Sequence, residues 1–253
     1  MISIWERITE IDQHKFFINT QNSNLFYKSV ISKLKQKFSS PYVCNYLYIG
    51  SIYYMFSDEI FFHAIRTANS VHLDGFAIGQ VAKILFKDNY TDFTPSSFID
   101  QLFQYCDSNK KKVFILGSYP GIKGIEGAIG RVKDRFPQLT IQGMDGYQSD
   151  HLMIKKINLL RPDLLVIGLG LRKQEKWIYQ HKKLLKTKVV ISVGNYIDIL
   201  AGRVKKPAEI YQKLHIRWLR RVIKEPKRLW KRYIGGIFFL ALIIAAHYTR
   251  KKL

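Results

Sequence analysis

The sequence predicts an α/β fold, a parallel sheet covered by helices on both faces, and three observations carry that expectation. Short apolar runs of four to seven residues alternate with helical segments of about ten to fifteen, the order that crossover connections between parallel strands produce. Several of these runs open directly into a loop that contains Gly. No internal repeat or low-complexity linker interrupts the alternation before a basic segment that starts near residue 203.

The elements follow in order. Residues 1–40 read as a helical preface with polar joints at Gln21-Asn22-Ser23-Asn24. Tyr42 to Tyr48 is the first strand, and Ser57 to Thr67 a helix with Ile60, Phe61, Ala64 and Ile65 at helical spacing. Ser70 to Leu73 is a second strand ending at Asp74-Gly75. A helix runs from Ile78 to Phe86, and after a loop with Asp88, Asn89 and Tyr90 the capping-type run Thr94-Pro95-Ser96-Ser97 starts another, which reaches Cys106. Lys112 to Leu116 is a strand into Gly117, Ile122 to Phe136 a helix, and Leu139 to Gln142 a strand into Gly143 and the Gly146-Tyr147 turn. Ser149 to Leu160 is helical. Two strands, Asp163 to Leu169 and Lys188 to Val193, complete a core that spans 41–202.

Charge is the outlier in the composition of this 253-residue chain. There are 41 Lys plus Arg against 19 Asp plus Glu, a formal charge of +22, so a polyanion is expected within reach. Twelve of the basic residues lie between Arg203 and Arg232, with only Glu209 and Glu225 against them. Directly after comes IGGIFFLALIIAA, Ile234 to Ala246, without a charge, and then a basic end. Thirteen apolar residues are short of the roughly 20 that span a bilayer. An apolar plug with basic flanks suits a helix lying in an anionic membrane surface; the alternative is burial in a dimer interface. The segment 203–253 is therefore read as a basic, helical, membrane-associating appendage. Cys44 and Cys106 read as core thiols rather than a disulfide or metal pair, and the start of the chain has no secretory h-region. His63, His72, His151, His181, His215 and His247 show no metal-ligand spacing, and no HExxH or DxD occurs.

In an open parallel sheet, ligands lie beyond the carboxyl ends of the strands. RPDLLVIGLGLRKQEKWI and VVISVGNYIDILAG each place glycines there, and the first adds Gln174 and Glu175 at a helix start, an outline of a phosphate or nucleotide pocket. Glu175 reads equally as a helix-dipole partner. Asp74, at a strand end before Gly75, is placed either as a catalytic carboxylate or as an Asx-turn or N-cap. Asp198 either binds a ribose hydroxyl or satisfies backbone N–H groups.

VHLDGFAIG, VFILGSYPG with FPQLTIQGMDGY, RPDLLVIGLGLRKQEKWI, VVISVGNYIDILAG and HIRWLRRVIKEPKRLWKRY, in this order and spacing, resemble the WecG/TagA/CpsF family of bacterial glycosyltransferases over about Tyr42 to Tyr233. The resemblance implies a Rossmann-like core of the GT-E type. It also implies inverting transfer of N-acetylmannosamine, its uronic acid or another hexose from a UDP-sugar to an undecaprenyl-diphosphate-linked saccharide. Asp74 would be the base. Gly117, Gly146, Tyr147, Gly168, Gly170, Gln174, Glu175, Gly194 and Asp198 would line the donor pocket. Arg217, Arg220, Arg221, Arg228 and Arg232 would meet the diphosphate, the acceptor and the membrane. The chain departs from the family pattern at Arg172, at Ile216-Arg217-Trp218, at Tyr48, with Asn45 three places earlier, and at Asp92 to Pro95.

The expected partners are thus a UDP-sugar, a polyprenyl-diphosphate-linked acceptor and an anionic membrane surface at the cytoplasmic face of the bacterial inner membrane, where the protein is peripheral. A homo-oligomer is left open. No cofactor and no metal is expected, because Arg, Lys and backbone N–H groups can carry the leaving-group charge. Two rivals come from other classes: a polyanion-binding module and a non-catalytic scaffold of a polysaccharide assembly complex. Against nucleic acid as the polyanion stand the uncharged plug and the lack of an aromatic-basic RNA motif.

Overall fold

A computed structural model of the chain describes residues 3–12, 23–37, 40–86, 95–205, 223 and 225–250. Six strands form one sheet: β1 (Tyr42–Leu47), β2 (Ser70–Leu73), β3 (Lys112–Gly117), β4 (Thr140–Met144), β5 (Leu164–Gly168) and β6 (Val189–Ser192). Their order is β2-β1-β6-β5-β3-β4, and every pairing is parallel. The α/β expectation holds. All six carboxyl ends consequently share one edge of the sheet, and the candidate site residues of the core belong to the loops along it.

Eleven helices are described: α1 (Ile4–Asp12), α2 (Ser23–Lys35), α3 (Ile49–Ser57), α4 (Glu59–Arg66), α5 (Phe76–Phe86), α6 (Pro95–Ser108), α7 (Ile125–Arg135), α8 (Asp150–Leu160), α9 (Lys173–His181), α10 (Tyr196–Leu200) and α11 (Pro226–Arg250). The central strands are apolar at nearly every position because both faces are covered. Strand alternation then sorts their side chains. Cys44, Ile115, Val166 and Ile191 join one core with α2, α6, α7 and α10, while Phe114, Leu165, Ile167 and Val190 join another with α8 and α9. A third core under α1, α3, α4, α5 and α11 takes Leu47, Val71 and Leu73. Both cysteines are buried thiols in the first core, and burial pushes each thiol up from its ordinary range. His72 is a neutral core histidine: burial lowers it to about 3, its Nε2 lies 2.7 Å from Ser70 Oγ, and Phe26 packs on its ring.

Two elements differ from the sequence expectation. Helix α3 occupies IGSIYYMFS, a stretch of Gly, β-branched and aromatic residues with poor helix propensity. Tertiary packing makes it helical: Gly50, Ser51, Ile52, Met55 and Phe56 are buried, and Ser51 Oγ accepts from the Tyr48 N–H at 2.8 Å at its start. The second difference is at the carboxyl end. The basic and apolar stretches from residue 226 onward form one continuous helix, α11, so the apolar part reads 21 residues, Leu229–Thr249, rather than thirteen. That is long and apolar enough to cross a membrane by length and composition.

Helix α11 also packs along its own chain. Leu229, Tyr233, Leu240 and Ile243 are buried, Phe239 stacks on Phe56 at 4.1 Å between centroids, and Tyr233 meets Tyr48. Gly235 and Gly236 mark the crossing with α3, where an added Cβ at the first would press on the Tyr53 ring and at the second on the Ile49 carbonyl. The other side of the helix exposes Trp230, Ile234, Ile237, Phe238 and Tyr248.

Candidate active site

Asp74 follows β2 at the edge of the sheet. Its N–H donates to the Leu47 carbonyl at 2.7 Å, extending the β1–β2 ladder by one residue and fixing the carboxylate at the strand end. The side chain is half-buried. Burial above all, with the Asp74 carboxylate adding to it, raises the Tyr46 phenol well above its ordinary range.

At the far side of the same edge, the loops after β3, β4, β5 and β6 interlock. Gly117 and Gly168 are register partners at the ends of β3 and β5; Gly117 has φ +141°, and a Cβ there would run into the Gly168 carbonyl. The next residue, Ser118, donates from Oγ to Asp198 Oδ1 at 2.5 Å, across 80 residues of sequence. Arg203 completes that carboxylate, with Nη2 at 2.7 Å from Oδ2 and Nε at 3.2 Å from Oδ1. Gly146 N–H donates to the Ser118 carbonyl at 3.2 Å, and Lys173 Nζ donates to the Gly146 carbonyl at 3.1 Å. Asp145 accepts from the Tyr147 N–H at 2.9 Å, a turn that holds the exposed Tyr147 ring out at the edge. Tyr119 lies 4.8 Å from that ring, and its hydrogen bond, followed by partial burial, pushes the Tyr147 phenol up to about 12.

Gln174 and Glu175 are turned inward. Glu175, 1 % exposed, accepts from the Arg172 N–H at 2.7 Å and thereby caps its own helix. Gln174 donates from Nε2 to Glu175 Oε1 at 2.7 Å and accepts from the Gly194 N–H at 3.1 Å, which ties the β5 loop to the β6 loop. Burial raises the Glu175 carboxyl to about 7 against the pull of these hydrogen bonds. The two side chains are thus committed to holding the loops of Gly170 and Gly194. Arg172 sits at the helix start with φ +74°, held there by Asp58, whose Oδ2 lies 2.7 Å from Arg172 Nε and 3.0 Å from Lys176 Nζ. Burial alone would raise the Asp58 carboxyl, but the Phe61 N–H, Lys176 and Arg172 hold it below its ordinary range.

The sequence-derived candidates therefore fall into groups. Gly117, Gly146, Tyr147, Gly168, Gly170, Gln174, Gly194 and Asp198 converge with Glu175 on the loops after β3 to β6, while Asp74 stands apart at β2. Adjacent strands are spaced about 4.8 Å, so Asp74 is roughly 10 Å from the β6 end and roughly 19 Å from the β3 end. Arg217, Arg220 and Arg221 lie outside the described residues, as does the Asp92 to Thr94 departure. Arg228 is in the first turn of α11, and Arg232 is half-buried on the same helix. Sequence reading missed Ser118, Tyr119, Asp145, Arg203 and Asp58. The first three directly follow the ends of β3 and β4, a position that signals ligand proximity in any parallel sheet; Arg203 and Asp58 carry no local signal. Among the described residues, no group of three His, Cys, Asp or Glu side chains is placed to hold a metal ion.

The model of the glycosyl transferase WecG/TagA/CpsF family matches residues 17–253. Relatives include the N-acetylglucosaminyldiphosphoundecaprenol N-acetyl-beta-D-mannosaminyltransferases of Staphylococcus aureus strains MW2 and MRSA252. Each is 25% identical to this chain over 238 residues, which cover 93% of this chain and 86% of the relative.

Proposed function

This chain belongs to the WecG/TagA/CpsF family of glycosyl transferases, and from that premise we propose that it transfers an N-acetylmannosamine-type hexose from a UDP-sugar to a polyprenyl-diphosphate-linked saccharide, with inversion. The chain is a glycosyltransferase of polysaccharide biosynthesis; the donor and acceptor are the proposal. One observation carries it: a single sheet edge bears an aromatic and carboxylate-bearing loop cluster at one side and a strand-end carboxylate at the other, separated by the reach of an extended nucleotide sugar. The relatives' names supply the acceptor class, N-acetylglucosamine on diphosphoundecaprenol, and the sugar.

In this reading the adjoining rings of Tyr147 and Tyr119 form the surface on which the uracil packs, Asp198 accepts from a ribose hydroxyl, and the N–H groups of the loop through Gly170, which Gln174 ties to the Gly194 N–H, face the diphosphate. Asp74 takes the proton of the acceptor hydroxyl as that oxygen attacks the anomeric carbon. The bond to UDP breaks on the opposite face, and Lys173 together with the basic segment from Arg217 to Arg232 offsets the charge of departing UDP. The acceptor is held in a membrane, which suits the exposed apolar side of α11 and its Lys and Arg flanks. A peripheral position on the cytoplasmic face, where UDP-sugars are available, completes the proposal.

The test is a donor panel: full-length protein, individual UDP-sugars, a short-chain lipid-diphosphate N-acetylglucosamine acceptor and detection of UDP release. UDP-N-acetylmannosamine is expected to give acceptor-dependent release. Release from no UDP-sugar at all would overturn the reading.

A further inference from the structure

We propose that Arg203 is a positioning residue of the donor pocket, which cancels the charge of Asp198 so that one carboxylate can receive a ribose hydroxyl without repelling the diphosphate of the same donor. The inference rests on the donor reading given above.

The backbone fixes Arg203 before any ligand arrives. Gly202, at φ +69°, turns the chain off α10, and a Cβ there would collide with the Arg131 guanidinium that sits beneath it. Arg131 in turn donates to the Leu200 carbonyl at 2.7 Å, so the turn is tied down to α7. The N–H groups of Arg203 and Val204 both donate to the Asp198 carbonyl, at 3.0 and 3.2 Å. From that base the guanidinium grips both oxygens of Asp198 and lies 4.3 Å over the Tyr119 ring. Ring contact continues from Tyr119 to Tyr147 at 4.8 Å, and Lys173 Nζ stands 6.0 Å from the centre of the Tyr147 ring.

The arrangement solves an electrostatic conflict. A carboxylate is a good acceptor for sugar hydroxyls, but a nucleoside diphosphate sugar carries two negative charges a few bonds away. An uncompensated Asp198 would repel them through a partly desolvated pocket. A bidentate Arg removes the charge while leaving acceptor lone pairs on both oxygens, since each carboxylate oxygen has two. Ser118 uses one more on Oδ1, and Oδ2 keeps one free for a hydroxyl. Lys in place of Arg would supply the charge without the fork.

The experiment is calorimetric titration of the full-length protein with UDP and with uridine, which has the same base and ribose and no phosphate. Arg203→Gln keeps a hydrogen-bond donor and drops the charge; UDP affinity should fall about 10- to 30-fold, from loss of one compensating charge near the multiply charged diphosphate, while uridine affinity changes by less than about threefold. Arg203→Lys should recover most of the UDP affinity. Adding Asp198→Asn to Arg203→Gln should bring the UDP-to-uridine affinity ratio back to that of the wild type, since no charge is then left to cancel. Equal losses for UDP and uridine, or no recovery of the ratio in the double variant, would overturn the role of Arg203. Should Arg203→Gln melt well below the wild type, Asp198→Asn with Arg203 retained reads the same charge balance from the other side: the uncancelled guanidinium should raise the UDP-to-uridine affinity ratio above that of the wild type, and an unchanged ratio would overturn the role. A wild-type protein that binds neither ligand would instead overturn the donor assignment, and this proposal with it.

Discussion

The two sides of the sheet edge are finished in opposite ways. On the side of β3 to β6, polar groups close on one another: Ser118, Asp198, Arg203, Gln174, Glu175 and Lys173 hold the loops through hydrogen bonds and ion pairs made within the chain. On the side of β1 and β2, the framework is apolar and unfinished. Helix α11 uses one face to cover α3 and leaves Trp230, Ile234, Ile237 and Phe238 in solvent. The difference teaches where each half finds its remaining interactions. The first is preorganised for a polar ligand from water; the second has a contiguous apolar stripe of the kind that marks a membrane or protein surface.

The comparison can be broken most severely at Asp74, the candidate base on the apolar side. Asp74→Asn should lower turnover about 10²- to 10⁴-fold, the usual contribution of a general base, while UDP affinity stays within about threefold because binding belongs to the other side. Wild-type-like turnover would take the base role from Asp74; a parallel loss of UDP binding would erase the division of labour.

Next in size is the packing of α11. Leu240→Ala, on the buried face, should cost about 2–5 kcal/mol of stability, and Gly236→Leu should cost on the order of 1–3 kcal/mol or more by pressing into α3. Phe238→Ser, on the exposed face, should stay within about 0.5 kcal/mol. Thermal melts of the three variants check the order. It also follows that deleting the whole helix is a poor probe of membrane binding, because it strips Leu240 and Ile243 from the third core.

A smaller effect concerns the polar side. The Glu175 carboxyl in the folded protein, at about 7, lies above its ordinary value of 4.5. The neutral form is therefore the better tolerated one: its contribution is complete below pH 4.5 and is lost as pH rises through 7. Stability should fall on the order of 2 kcal/mol between pH 5 and 8, and Glu175→Gln should flatten that slope. A variant that keeps the wild-type slope would show that another group sets it. The smallest expected effect is that of EDTA: sugar transfer should persist in excess chelator, and loss restored by Mg²⁺ would show that a metal carries the leaving-group charge.

Much of this organisation is legible in the sequence, for a physical reason. Strands such as LLVIG and VVIS are buried on both faces and so read as uninterrupted apolar runs, and the parallel topology then brings their following loops together. What resists reading is whatever depends on distant partners. IGSIYYMFS has no helical signature because α11 supplies the packing that makes it a helix. The Ser118–Asp198 bond joins residues with no shared local pattern. Glu175 has the letters of an exposed first-turn acid, yet it is folded inward by Arg172 N–H and Gln174. The length of α11 was hidden because Lys227 to Arg232 read as a charged block rather than as its first turns; Leu229 and Tyr233, on the buried face, were the signal that joins them to the apolar part.

The most direct test is flotation of the full-length protein with anionic and with neutral vesicles at low and high salt, beside an Ile237→Ser/Phe238→Ser variant whose melting temperature has been checked. The wild type should float with anionic vesicles, less so at high salt as the Debye length contracts from about 8 Å toward 3 Å. The double variant should keep its fold and stay in the soluble fraction. Equal flotation of the two proteins, or flotation of neither, would contradict a membrane as the completion of the apolar side.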